Sequence, residues 1–345
     1  MTKLLECVRA RFISLRSDGI ANVPNRFGKF IQARLYRLRR TFQKVRYETK
    51  LQTAWPPGRP LISVIIPCFN YGIYLKGAIE SVLSQTFQRL EIIVINDGST
   101  DVLTKEILQG LRYPKTRVVH QRNQGLAQTR NIGSELAAGK YVCYLDADDF
   151  IEPTYLEKTL AILESDESLG SCYSWVRCFG DRDSVWRTSD LEPFWLKRGT
   201  TASSHSVIRK AAWGKVKEFN GSGFLSKYDG YFEDWVFWID LVQCGYRGQV
   251  IEEPLIRYRV HKLSLGATHK PGFDKMVKVL HEDRKRFFYD RQYMRDLELK
   301  LNQRIYIENN RINLLSPEYY KGNRVPDRAL AGSTQNRQAA GTYGV

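Results

Sequence analysis

The sequence predicts an α/β protein built on a mostly parallel sheet flanked by helices, with basic helices before it and a helical extension after it. Three observations lead there. Short β-rich runs alternate with helical stretches over residues 61–145, the pattern of a parallel sheet with helices on both faces. Three of those runs end abruptly in polar or acidic turns. A linker, Ala54-Trp-Pro-Pro-Gly-Arg-Pro60, separates this series from a strongly basic N-terminal segment, because its prolines can continue neither a helix nor a central strand.

The N-terminal segment, 1–53, reads as a basic amphipathic helical pair. Leu4, Leu5, Val8, Phe12 and Leu15 share one helical face, and Phe27, Phe30, Ile31, Leu35, Leu38, Phe42 and Val45 another, with Asn22 to Asn25 as the break. Residues 1–50 hold 13 Lys and Arg against 3 Asp and Glu, so they account for most of the net charge of +16. Two readings remain open: the helices pack on the following domain, or they bind an anionic membrane surface through apolar insertion and basic side chains.

After the linker at 54–60, strands are expected at Leu61–Ile66, Leu90–Ile95, Thr116–Gln121 and Lys140–Leu145, with helices at about 74–86, 102–112 and 125–138 between them. Ligands in such sheets bind beyond the carboxyl ends of the strands. Residues 61–150 therefore form the first half of a catalytic domain, and 151–265 the second. The second half begins with a helix at 153–164 that has Pro153 at its first position, followed by a strand near Cys172–Phe179. A helix at 229–244 and a strand at 248–260 complete it. Residues 266–315 form a helical extension, with a long charged stretch at 273–312 broken once, and 316–345 a polar tail.

Composition narrows the function classes. At 345 residues, 43% hydrophobic and 26% charged, the chain is long enough to bury a sizeable core and too polar for a membrane bundle. No stretch nears the roughly 18 apolar residues of a spanning helix, and Arg9, Arg11 and Arg16 interrupt any signal-peptide core. The expected location is cytoplasmic, peripheral at the inner face of the membrane. None of the six cysteines forms a C-x-x-C pair, which fits a reducing compartment. A Cys172–Cys178 bridge is the alternative.

The densest chemistry lies in Tyr141-Val-Cys-Tyr-Leu-Asp-Ala-Asp-Asp149, where an apolar strand runs into three carboxylates. Like charges so close raise one another's pKa unless a cation sits among them. In an extended segment Asp146 and Asp148 would point to the same side. Hard oxygen donors suit Mg²⁺ or Mn²⁺, whose remaining positions substrate phosphates commonly fill. A plain Asp-rich turn before the Pro153 helix is the competing explanation. Pro67-Cys-Phe-Asn70 and Asn96-Asp-Gly-Ser-Thr-Asp101 are further strand ends that open onto the same crevice. Six of the seven tryptophans, at positions 175, 186, 195, 213, 235 and 238, fall in the second half. Trp235 and Trp238 read as core, whereas Trp186 and Trp195 are equally compatible with a sugar-facing surface.

From Leu61 to Ser264 the chain resembles the family 2 inverting glycosyltransferases, which adopt the nucleotide-sugar-binding fold called GT-A. The resemblance rests on Ser63-Val-Ile-Ile-Pro-Cys-Phe-Asn70, Val94-Ile-Asn-Asp-Gly-Ser-Thr-Asp101, Asn123-Gln-Gly-Leu-Ala-Gln-Thr-Arg-Asn-Ile-Gly133, the D-x-D sequence Asp146-Ala-Asp148, Glu233-Asp234 and Tyr258-Arg-Val-His261, in family order. It implies nucleotide-sugar binding by Pro67, Phe69, Asn70, Asp97, Gly125, Arg130, Asp146 and Asp148, with Asp97 on the base or ribose. It also implies a Mn²⁺ or Mg²⁺ ion on Asp148, Asp146 and His261, and Asp234 as catalytic base with Glu233 beside it. Arg259, Asp149 and Trp235 would line the diphosphate and acceptor region. The implied substrates are a nucleotide-diphosphate sugar donor and a carbohydrate or glycolipid acceptor, as in bacterial cell-surface polysaccharide or glycolipid synthesis. Asn96 replaces a common aspartate, Val236 stands where an acid is frequent, and the Q-x-x-R-W pattern of processive members is absent. The competing classes are a nucleotidyltransferase, which usually needs a Gly-rich basic loop that Pro67-Cys-Phe-Asn-Tyr-Gly72 does not supply, and a nucleic-acid-binding protein using the basic helices. No nucleic acid is expected as a partner.

Residues 1–50 are expected to sediment with anionic vesicles, less so as salt rises, and a variant lacking them should fold and stay in the supernatant. A deletion variant that still sediments fully, or does not fold, would establish the packing reading instead.

Overall fold

Val64, Ile65 and Ile66, and Ile92 to Ile95, are buried on both faces of their strands, which is what an uninterrupted apolar run requires of the centre of a sheet. The computed structural model describes residues 58–197, 199–200, 202–261 and 272–308. The expected N-terminal helices, the first residues of the linker, residues 262–271 and the tail lie outside the described residues.

The first half is a doubly wound parallel sheet. Strands β1 (Ile62–Cys68), β2 (Leu90–Asp97), β3 (Thr116–Gln121) and β4 (Tyr141–Tyr144) pair in the order β3-β2-β1-β4, all parallel. Helices Gly72–Leu83, Val102–Gly110 and Leu126–Leu136 join them, within a few residues of the expected spans. The last of these lies unusually close to the sheet at Gly133, where an added Cβ would meet Ile65 Cγ2 at 2.4 Å. Any larger residue there would push the helix, and the side chains it carries, off the strands.

The second half departs from the parallel pattern. Strand β5 (Phe150–Ile151) runs antiparallel to β9 (Arg247–Val260), and β9 is parallel to β6 (Leu169–Gly180). Strand β7 (Ser184–Trp186) flanks β6, and β8 (Val207–Arg209) joins β6 to β4 antiparallel to both. Strand β8 and helix Lys210–Asn220 are absent from the sequence reading, because a three-residue strand leaves too short a periodicity to see. Helix Tyr155–Ser165 starts after Pro153 rather than with it, and Thr154 holds the N-cap position. The expected helix at 229–244 is a 3₁₀ turn, Ser226–Tyr228, followed by Glu233–Gln243.

The extension is broken twice among the described residues, into Phe273–Asp283, Lys285–Tyr289 and Arg291–Glu308. It belongs to the same core: Leu280, Phe287, Met294, Leu297 and Leu301 cluster with Trp235, Phe237 and Trp238. The core reading of Trp235 and Trp238 therefore holds. Trp186 and Trp195 are 40% and 45% exposed. Cys172 and Cys178 are both buried and no disulfide joins them, against the Cys172–Cys178 bridge. No described helix is long and apolar enough to cross a membrane.

Arg284 anchors the extension by donating from Nε and Nη2 to the two oxygens of fully buried Asp240, at 2.6 and 2.7 Å. Arg284→Met leaves that carboxylate without its cation and is expected to lower stability by about 3–5 kcal/mol, read from urea denaturation.

Candidate active site

The carboxyl ends of β1, β2 and β4 open on one side of the sheet, and each turn there is held by its own polar side chains. Asn70, at a φ of 59°, accepts from the Thr100 and Asp101 amides at 2.8 and 3.0 Å, tying the turn after β1 to the turn after β2. Asn96 Oδ1 accepts from the Ser99 amide at 3.0 Å, so an amide side chain holds the turn at the position where the family resemblance led one to expect an acid. Pro67 is buried in β1, paired with Ile95, and Phe69 is exposed at the rim.

Asp97, expected on the base or ribose of the nucleotide, has both carboxylate oxygens on partners within the protein. Its Oδ1 accepts from the Gln124 amide and from Gln121 Nε2, both at 2.8 Å, and its Oδ2 from the Gly125 amide at 2.9 Å. With both oxygens engaged and little surface left, Asp97 holds the loop that starts the helix Leu126–Leu136. Asp229, from the other half of the domain, completes the clamp by accepting from the Leu126 and Ala127 amides, each at 3.0 Å. Two carboxylates thus satisfy the first amides of this helix, where its dipole favours negative charge. Gly125 is required between them: its φ is +85°, and a Cβ would lie 2.0 Å from Asp229 Oδ2.

The helix so held delivers Arg130, 1% exposed, to the centre of the site. One terminal nitrogen donates to Glu233 Oε1 at 2.7 Å and the other to Asp146 Oδ1 at 3.1 Å. Burial pulls its pKa down, but Asp146, Glu233 and Asp234 outweigh that and hold it raised. Arg130 was expected among the nucleotide-sugar-binding residues, and its two terminal nitrogens each meet one of the protein's own acids.

The three aspartates after β4 meet different main partners. The Asp149 amide donates to the Asp146 carbonyl at 3.1 Å, so 146–149 form a turn, not the extended segment expected, and Asp146 and Asp148 do not share a side by strand geometry. Asp146 faces Arg130. Asp148 Oδ2 lies 3.1 Å from His261 Nε2, with both side chains partly exposed. Asp149, fully buried, lies 2.6 Å from Nε2 of His205, which is 2% exposed. Burial raises the Asp149 carboxyl to about 7, and Asp149 and Asp146 hold the His205 imidazole above its usual value against the opposing effect of its own burial.

Sequence reasoning missed His205, which stands 55 or more residues from each acid it meets and carries no local signal. Among the described residues, the donor atoms that converge within 4.8 Å are those of Asp146, Asp149 and His205, not of Asp146, Asp148 and His261. Oxygen and imidazole donors fit Mg²⁺ or Mn²⁺ in either set. Burial and the neighbouring Asp146 charge raise the Asp148 carboxyl, a cost that a cation would relieve. Arg259 is placed beside this turn rather than in the open crevice: its Nε donates to the Asp148 carbonyl at 3.1 Å, and its guanidinium lies 4.5 Å from the Phe179 ring centroid. Its amide donates to Asp149 Oδ1 at 2.6 Å, the link that β5–β9 pairing makes between the turn and His261.

Glu233 and Asp234 open the helix Glu233–Gln243. Burial raises the Glu233 carboxyl to about 7 while Arg130 opposes the shift, and burial likewise raises Asp234. Trp235 is buried, its Nε1 donating to the Leu196 carbonyl at 2.7 Å, so it braces the helix from behind.

Residues 63–217 match the family described as Glycosyl transferase family 2. YibD of Escherichia coli K12, an uncharacterized glycosyltransferase, is 33% identical over 227 residues, which cover 61% of this chain and 64% of YibD. The chondroitin synthase of E. coli is 31% identical over 190 residues, 52% of this chain and 28% of the synthase. The crystal structure of S. aureus TarS 1–349 in complex with UDP-GlcNAc aligns with a TM-score of 0.54 at 16% identity, covering 71% of this chain and 72% of that one. That last likeness shows the fold, GT-A.

Asp229→Ala is expected to cost about 0.5–2 kcal/mol by leaving the Leu126 and Ala127 amides without their acceptor. Urea denaturation measures it, and Asp229→Asn, which keeps an oxygen, should lose less.

Proposed function

We propose that the chain transfers a sugar from a nucleotide-diphosphate donor to a carbohydrate or glycolipid acceptor, with inversion, a reading supported by the match of residues 63–217 to the family described as Glycosyl transferase family 2. The observation that carries this reading is the meeting of two acid groups, Asp146–Asp148 and Glu233–Asp234, across Arg130 at the carboxyl ends of the strands. One group suits the diphosphate side and the other the acceptor side.

Asp148, His261 and Asp146 are the donors we assign to a divalent cation, Asp148 being paired with His261 and Asp146 with Arg130. The Asp149–His205 pair, closed off by burial, serves better as the support under that turn. When bound, the cation neutralises charge on the departing diphosphate. Asp234 accepts the proton of the acceptor hydroxyl. The hydroxyl oxygen forms its bond to the anomeric carbon as the bond to the diphosphate breaks, and that electron pair leaves with the diphosphate. A single displacement inverts the anomeric carbon. The raised Asp234 carboxyl is a stronger base than an ordinary carboxylate, which favours this step. Glu233, fixed by Arg130 and the Gly230 amide, orients the acceptor. The description of the chondroitin synthase favours bacterial polysaccharide synthesis, and the basic residues 1–50 suit a peripheral membrane position. The donor TarS binds, UDP-GlcNAc, is the first to test.

Release of nucleotide diphosphate from a panel of nucleotide sugars should require Mn²⁺ or Mg²⁺ and vanish in Asp148→Asn. Asp234→Asn should lower kcat by about 10²–10⁴-fold with donor binding retained. Glu233→Gln should raise the acceptor KM more than it lowers kcat. Full turnover in excess chelator would exclude the cation, and near-normal kcat in Asp234→Asn would move the base to Glu233.

A further inference from the structure

We infer that Arg130 is a positioning residue that couples the two sides of the site, so that the charge on acceptor-side Glu233 sets how strongly diphosphate-side Asp146 binds a divalent cation. The inference rests on the proposed cation site, but only on Asp146, which belongs to both candidate donor sets.

The geometry has three parts. Arg130 is the link between the sides, donating to Glu233 Oε1 at 2.7 Å and to Asp146 Oδ1 at 3.1 Å from separate nitrogens. Its Nε has no hydrogen-bond partner among the described residues, so the carboxylates, not backbone groups, orient the fork. The rings of Phe224 and Tyr144, with centroids 5.7 and 6.0 Å from the guanidinium carbon, close around it. The helix that carries it is clamped at its start by Asp97 from β2 and by Asp229, four residues before Glu233. Arg130 is therefore held by the same two halves of the domain that it joins.

The guanidinium sits between two acids that pull it in competition, one terminal nitrogen on each. Neutralising Glu233 weakens one pull and lets the guanidinium move onto Asp146, whose oxygens then offer less to an incoming divalent ion. A lysine would supply the charge but not the fork, and so would not serve both acids at once. A merely structural ion pair would hold the fold together without passing any effect from Glu233 to the cation.

The test is Mn²⁺ binding to the full-length protein, followed by electron paramagnetic resonance without substrate. Wild type, Glu233→Gln, Arg130→Met and the double variant would be compared, with thermal melting as the control for folding. Glu233→Gln is expected to weaken Mn²⁺ binding about fivefold or more, the scale of ordinary coupling between sites. In the Arg130→Met background the same change should have little effect. If Arg130→Met does not fold, Arg130→Lys takes its place. Mn²⁺ affinity unchanged within twofold in Glu233→Gln, or weakened equally with and without Arg130, would overturn the coupling alone. No Mn²⁺ binding by the wild type would overturn the cation site and the coupling with it.

Discussion

Taking a guanidinium out of water costs several kcal/mol, and Arg130 is stable where it lies only because Asp146 and Glu233 face it from opposite sides. The dependence is mutual. Glu233 is itself buried and already shifted toward its neutral form, and without Arg130 it would be a second uncompensated group in the same cavity. The position of the helix Glu233–Gln243 relative to the turn 146–149 thus follows from an electrostatic requirement. Apolar packing alone would tolerate small slips between the two halves, but a bridged pair of carboxylates does not.

Much of the remaining polar structure serves to aim this residue. Asp97 and Asp229 satisfy the amides at the start of the Arg130 helix, and Gly133 lets that helix lie against Ile65. Asn70 and Asn96 hold the neighbouring strand-end turns. Several of these are residues that a motif-based reading assigns to the nucleotide, yet here their side-chain atoms meet the protein's own amides. Holding a loop and touching a ligand both favour short polar side chains at strand ends, so residue type alone does not separate the two roles.

Below the turn, Asp149 and His205 form a second buried acid–base contact, and Arg259 packs among aromatic rings while its amide reaches the same Asp149. The turn 146–149 is consequently fixed from three directions, by Arg130, by His205 and by β9. Side chains held this way have little freedom left to lose when a ligand binds, the kind of preorganisation that a charged transition state rewards.

The sequence by itself determined the parallel half of the sheet, since β1, β2 and β4 are apolar runs whose burial needs no partner to be recognised. It also marked the acids, because carboxylates crowded at strand ends are costly anywhere else. The buried placement of Trp235 and Trp238 was legible from their helical context. Tertiary structure alone decided which acid faces which cation. His205 lies on no recognisable pattern, β8 is three residues long, and the partner of Arg130 is 103 residues away at Glu233. It also brought Asp146 and Asp149 together near His205, where an extended segment would have put Asp146 and Asp148 on one side, because a backbone hydrogen bond from Asp149 to Asp146 closes a turn. Local periodicity reports which face of an element is apolar. The pairing of buried charges depends on how separate elements dock, and that information resides in no short stretch of chain.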